Sequence, residues 1–331
     1  MTDPNLNFDA INAYVGNWTK VKGGKIDMFM TTGDNIYIRD EPHPKDEDAD
    51  KMMSLFLTRP YLKDLNVWAI RGNHDCYALD AYFQVNLTKR YPTWKMPDLW
   101  YNKTFELGNG KKLLMLFVDT CLAVCANQTY ANGTGGQLLS ENPFMETETH
   151  RLLTDSMPQT HEMRRLKDVK CGDDWNTMMG NRMFTWINNT LEYYKNDKTI
   201  VWKSTIQHHP IFGKWYSDYL NITSNYLPIM LDHGVDFYLN GHEHTLEYAY
   251  YPYDQIGWNK KYSYAHAQAY KLEGYTCSPD QELFFGTPSR YAESTKGEAL
   301  HQFTIGSSGF DLYDVCPTRP SMGRYKYVNN K

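Results

Sequence analysis

The sequence predicts an α/β fold, a sheet with helices on its faces, and three observations carry that prediction. Short apolar runs recur along the chain, each ending in a polar or Gly-rich turn. Helical periodicity lies between them, which is the pattern of strands alternating with helices. Four of the runs end in clusters of carboxylate, phenol, amide and imidazole side chains. In an open α/β sheet the carboxyl ends of the strands line one crevice, so these clusters are expected to converge.

The elements follow in order. Phe8, Ile11, Val15 and Trp18 recur at i, i+3, i+7 and i+10 and predict an opening helix. The first strand, residues 26–31 (IDMFMT), runs into Gly33-Asp34-Asn35-Ile36-Tyr37, and the second, 65–70 (LNVWAI), into Gly72-Asn73-His74-Asp75. The third, 113–118 (LLMLFV), ends at Asp119-Thr120. Residues 126–181 are polar and weakly patterned, as expected of a surface insertion. Phe184, Ile187, Leu191 and Tyr194 restore the helical period before the fourth strand, 199–206 (TIVWKSTI), which ends in His208-His209-Pro210. A short helix over 225–232, with Pro228 in its first turn, precedes the fifth strand, 235–239, and Gly241-His242-Glu243-His244. Residues 250–331 read as an irregular C-terminal region holding a sixth strand at 302–305, and the whole of 1–331 reads as one domain.

Composition narrows the function classes. The 331 residues are 41% apolar, ample for a core, and 15% aromatic, beyond what a disordered chain carries. A net charge of -5 gives no basic footprint for nucleic acid or an anionic membrane. No apolar run approaches the roughly 18 residues a bilayer span needs. Seven Asn-x-Thr sequons begin at Asn17, Asn86, Asn102, Asn127, Asn132, Asn188 and Asn221, against about three expected by chance. The six cysteines include no CxxC pair, so disulfides fit better than a thiolate metal site. Both marks point to a secreted, extracellular or lysosomal glycoprotein, with N-glycans on some of the seven sequons. The cysteines are expected to pair Cys76 with Cys121, Cys125 with Cys171 and Cys277 with Cys316, one of fifteen possible arrangements.

The strand-end residues mix N and O donors without Cys, a set that suits Fe, Mn or Zn. In their order the chain resembles the metallophosphoesterase (calcineurin-like phosphoesterase) superfamily. Its GD, GNH[DE], strand-end His and GHxH motifs are matched from Gly33 to His244. Tyr37, three residues after Asp34, further resembles the purple acid phosphatases. The resemblance implies a metallophosphoesterase-type α/β sandwich with metal ligands at the carboxyl ends of strands. It also implies a binuclear centre of Fe(III) plus a divalent Fe, Zn or Mn. Asp34 would bridge the two ions, with Tyr37 and His244 on the first and Asn73, His208 and His242 on the second. His74 would hydrogen-bond the phosphate or protonate the leaving alkoxide. The implied reaction is phosphate monoester hydrolysis by metal-activated hydroxide. Of the adjacent histidines, His208 lies two residues before the proline, as the family's ligand does. His209 is expected on the other side of an extended backbone. Asp75 is a candidate partner behind the ligands, and Asp119 either holds a ligand imidazole or ends its strand.

The chain departs from the family pattern in three places. The family's first strand, ending in GD-x-G, is not seen before Phe8, and Asp3 and Asp9 are poor substitutes for its carboxylate. No histidine follows in residues 212–219, where Lys214, Tyr216 or Asp218 would have to serve. Residues 310–331 show little strand pattern, so the sandwich is expected to lack its first strand and last edge strands. The gap is expected to be filled by an upstream segment or by a neighbouring molecule, which would make the protein self-assemble. The leading expectation is a secreted or lysosomal acid phosphatase. The alternative is an extracellular structural or binding glycoprotein that keeps the fold with its first metal site incomplete.

Overall fold

Long β-branched and aromatic runs build one large sheet, and two-residue ladders build a small one against it. The computed structural model describes residues 4–21, 26, 28–37, 46–78, 82–125, 174–211, 222, 226–244, 246–252, 296–306 and 324–329. Helix α1 (Pro4–Val21) leads to β1 (Phe29–Met30), α2 (Asp46–Leu57), β2 (Val67–Trp68), α3 (Asn73–Ala78), α4 (Phe83–Arg90) and β3 (Trp94–Lys95). Strands β1, β2 and β3 form a parallel three-stranded sheet in that order. Next come the hairpin β4 (Tyr101–Gly108) and β5 (Lys111–Val118), the turn α5 (Thr120–Ala123), α6 (Asp174–Tyr193), β6 (Ile200–Gln207) and a helix α7 over residues 226–232. Strands β7 (Phe237–Asn240), β8 (Leu246–Pro252), β9 (Ala299–Ile305) and β10 (Arg324–Asn329) complete a seven-stranded sheet of order β10-β8-β9-β7-β6-β5-β4.

Strands β5, β6, β7 and β9 run parallel, with β4 antiparallel at one edge and β8 and β10 antiparallel at the other. The sheets meet through aromatic side chains: Trp68 of β2 lies against Tyr101, Phe105 and Phe117, with ring centroids 5.6–6.3 Å apart. Tyr101 also fastens the sheets by hydrogen bonding. Its hydroxyl lies 2.8 Å from the carbonyls of Ala69 and Lys95 and accepts from the Ala69 N–H at 3.1 Å. Helix α6 buries Met179, Met183, Trp186, Ile187 and Leu191.

Several expectations are corrected here. The segment read as an insertion gives up its last residues to α6, which starts at Asp174 because Met179 and Met183 already follow the apolar period. The C-terminal region is not uniformly irregular: β8, β9 and β10 pair there, and β10 supplies an edge strand within residues 310–331. Strand β10 pairs along β8 despite its weak apolar pattern. Strands 26–31 and 65–70 shrink to two-residue ladders. The Cys76–Cys121 disulfide is formed. Cys125 is also disulfide-bonded, while Cys171, Cys277 and Cys316, the sequons at Asn127, Asn132 and Asn221, and Lys214, Tyr216 and Asp218 lie outside the described residues. No helix among the described residues is long and apolar enough to cross a membrane.

Candidate metal centre

Both sheets bring their strand ends to one place. The small sheet supplies the turn after β1, with Asp34 and Tyr37, and the start of α3, with Asn73 and His74. From the large sheet come His208 after β6 and His242 and His244 after β7. All six side chains expected as ligands converge, in two linked groups.

In the first group the Tyr37 hydroxyl donates to Asp34 Oδ2 at 2.9 Å and lies 3.4 Å from His244 Nε2. In the second, Asn73 Oδ1 is 2.8 Å from His208 Nε2 and 2.9 Å from His242 Nδ1, and the two nitrogens are 3.2 Å apart. Asp34 joins the groups, because its other oxygen, Oδ1, is 3.4 Å from His208 Nε2 and accepts from the His74 N–H at 2.9 Å.

The donor atoms of the second group can accommodate a cation. His208 Nδ1 is 2.7 Å from the Thr32 carbonyl, which can only accept, so this nitrogen carries the hydrogen. In the neutral ring Nε2 is then a bare lone pair aimed at a carbonyl oxygen and a second imidazole. Electron pairs at these distances repel unless a hydrogen or a metal ion lies among them, and a hydrogen on His242 Nδ1 or a bound cation would each relieve the repulsion. An oxygen and two imidazole nitrogens suit a divalent ion of intermediate hardness, so these residues fit the metal the motif order implies. The first group adds a carboxylate and a phenol, harder and more anionic.

Charge within the site follows from burial and neighbours. Burial opposes ionisation of Asp34, yet the His208 imidazole beside it holds its carboxyl below the usual range. Burial would likewise lower His208, and Asp34 reverses this and raises it. Burial and the His208 charge push His242 down to about 3, leaving its ring neutral and available as a donor.

Backbone geometry serves close approach. Asp34 (φ 53°) and His242 (φ 64°) adopt left-handed conformations unusual for residues with a Cβ. A Cβ on Gly72 would overlap the Asp34 backbone nitrogen and Oδ1 and come within 2.7 Å of the His208 ring, so glycine is required there.

His209 differs from expectation. The backbone at 208–209 bends rather than extending, so both rings stay on the site side, with centroids 5.0 Å apart. His208, His209 and His242 each offer a ring nitrogen, all within 4.8 Å of one another. His209 is nevertheless engaged elsewhere. Thr120 Oγ1 accepts from its backbone N–H at 3.1 Å and sits 2.8 Å from Nδ1, an arrangement satisfied when the hydroxyl donates to Nδ1 and the ring proton resides on Nε2. His74 is exposed at the mouth, its ring centroid 4.3 Å from that of Tyr37.

Behind these groups lies a layer the sequence reading only partly anticipated. Asp75 is buried and accepts from the N–H groups of Gly72 (2.8 Å), Ile36 (3.0 Å) and Asn35 (3.1 Å), tying the two small-sheet turns together. Among the described residues Asp119 holds no ligand imidazole. It takes the guanidinium of Arg71 at 2.5 and 2.8 Å and caps α5 through the Cys121 N–H at 3.0 Å. Arg71 itself was missed, although an arginine at the end of a buried strand signals a buried partner. Asp9 pairs with Arg59 at 3.1 Å and is not part of the site.

The model of the calcineurin-like phosphoesterase family matches residues 1–246. Tartrate-resistant acid phosphatase type 5 of Sus scrofa is 21% identical over 231 residues, 70% of this chain and 56% of the relative. Purple acid phosphatase 17 of Arabidopsis thaliana is 24% identical over 229 residues, 68% of this chain and 55% of the relative. The chain thus spans little more than half the length of these relatives. Among solved structures, GAP50, described as the anchor in the inner membrane complex of Plasmodium, superposes with a TM-score of 0.52 at 12% identity, covering 100% of this chain and 75% of that one. That likeness concerns the fold alone. The ordered motifs, the two-sheet architecture and a family match over most of the chain lead to one conclusion: this protein belongs to the calcineurin-like phosphoesterase family, with homologues among the purple acid phosphatases.

Proposed function

We propose that the protein is a secreted or lysosomal acid phosphatase that hydrolyses small phosphate monoesters at a binuclear centre of Fe(III) and a divalent Fe, Zn or Mn. The observation that carries this reading is the convergence of Asn73 Oδ1, His208 Nε2 and His242 Nδ1, joined through Asp34 to Tyr37 and His244. Asp34, Tyr37 and His244 would hold the first ion, and Asn73, His208, His242 and Asp34 the second. Two bound ions would supply Lewis acidity toward the phosphoryl oxygens and lower the pKa of an attacking water.

The chain's own residues do the rest. Asp34 spans the two halves and fixes their separation. His208 is kept in one tautomer by the Thr32 carbonyl, which aims Nε2 inward. His74, exposed beside the Tyr37 ring, donates to a phosphate oxygen or passes a proton to the leaving alkoxide. The disulfide and the seven sequons support a secretory compartment.

The test is metal analysis with a visible spectrum of the native, full-length protein, alongside Tyr37→Phe. A tyrosinate-to-Fe(III) band is expected in the wild type and lost in the variant. A coloured wild type whose band persists in Tyr37→Phe overturns the assignment of the first ion. The alternative, an extracellular structural or binding glycoprotein that keeps the fold, is favoured by one observation: Asp9, a candidate for the family's first carboxylate, is tied to Arg59 instead. It predicts native protein with no iron and no phosphatase activity.

A further inference from the structure

Helix α1 carries an exposed aromatic pair around an exposed sequon. Tyr14 and Trp18 are 65% and 41% exposed, with ring centroids 6.5 Å apart and planes at 26°. Asn17, the acceptor of Asn17-Trp18-Thr19, is exposed as well. On a helix, positions i, i+3 and i+4 share one patch of surface, so Tyr14, Asn17 and Trp18 lie together. The core-facing side of the helix is a different set of residues: Val15 is buried, and Phe8 and Ile11 pack on the core. The aromatic pair therefore faces outward, on the same patch of the helix as the Asn17 amide.

The other described sequons lack this arrangement. Asn188 lies within α6, its Oδ1 2.9 Å from His233 Nε2, and its sequon Thr190 is buried. Asn102 sits half-buried on β4. Asn86 is exposed, yet its Oδ1 accepts from Lys89 Nζ at 3.1 Å and the next residue, Leu87, is buried.

We propose that Asn17 carries an N-linked glycan whose first N-acetylglucosamine lays the C–H face of its ring on Tyr14 and Trp18. The donor is a lipid-linked oligosaccharyl diphosphate. The bond from Asn17 Nδ2 to the sugar C1 forms, the C1–O bond to the diphosphate breaks, Nδ2 loses one proton, and the lipid diphosphate leaves. The sugar offers apolar C–H surface to aromatic faces that would otherwise meet water. This inference rests on the secretory reading above.

The test uses full-length protein secreted from a eukaryotic host and released from its glycans by peptide N-glycosidase in heavy-oxygen water, which marks each occupied Asn as labelled Asp. Label is expected at Asn17. In addition, Asn17→Gln should lower Tm by about 1–3 °C in the wild type, and that shift should vanish in a Tyr14→Ser/Trp18→Ser background. Label at Asn86 or another sequon without label at Asn17 overturns the site and leaves the compartment standing. No label anywhere, with free thiols at Cys76 and Cys121, overturns the compartment and the site together. Label at Asn17 with an equal Tm shift in both backgrounds overturns the stacking.

Discussion

The two sheets hold their shares of the candidate centre by different means. The large sheet presents His208, His242 and His244 from turns after strands of eight and four residues in parallel register, and the Gly241 N–H closes onto the His208 carbonyl at 3.0 Å. The small sheet presents Asp34, Tyr37 and Asn73 after strands of only two residues each. A ladder that short cannot fix the turns beyond it. There the positioning passes to buried side chains and a cross-link: Asp75 beneath both turns, Arg71 on Asp119, and the Cys76–Cys121 disulfide between α3 and α5. One half of the site should therefore fail when its ligands are replaced, and the other also when residues that touch no ligand are replaced.

The largest expected effect tests the large-sheet half. Under the proposed assignment, His208→Ala should reduce phosphatase activity and divalent metal retention by at least about 100-fold, with folding largely kept. His209→Ala should leave most activity. Equal losses, by steady-state assay and metal analysis, would remove the distinction drawn between the two histidines.

Next is the ion pair under the small-sheet half. Asp119→Ala leaves the Arg71 guanidinium buried without its partner and should destabilise the fold by about 3–5 kcal/mol in urea titration. Removing both charges with Arg71→Met/Asp119→Leu should cost less. A larger loss for the double variant would show that the pair is not held together by charge.

The cross-link comes third. Cys76→Ser with Cys121→Ser should cost about 2–4 kcal/mol and weaken metal retention through Asn73, which α3 carries. Unchanged metal content at equal folded fraction would mean that α3 is positioned without it.

The smallest effect is a slope. Burial and the nearby Asp34 charge push Asp75 up to about 7. Between about pH 4 and that value the folded chain binds a proton that the unfolded chain has released, so stability of chelator-treated protein should fall as pH rises. Asp75→Asn should flatten that fall in a series of melting curves. An unaltered slope would assign the titration to another group.

The ligand-bearing turns were legible in the sequence because each follows an apolar run and begins, in three cases of four, with glycine. Strands β5, β6, β7 and β9 were legible for the same reason. The hairpin β4 was missed although Asn109-Gly110 marks its turn, because residues 101–108 alternate weakly and face solvent over half their length. Strands β8 and β10 were missed because tyrosine-rich strands near the edge of a sheet resemble loops in composition. The supporting layer was least visible. That Asp119 would meet Arg71, 48 residues away, depends on tertiary packing rather than local spacing.

Gly72 has no functional group to contribute, yet an alanine there would drive a methyl into Asp34 and toward the His208 ring. Its neighbour Gly33, at φ 87°, leaves a would-be Cβ only 2.7 Å from the Gly72 nitrogen, so neither backbone can retreat from the other. A saturation screen for lost activity would therefore score both glycines as indispensable beside the histidines. The purified Gly72→Ala protein would tell the two kinds of position apart, since its defect is a wedge between strands, visible as lowered stability even with the metal stripped away.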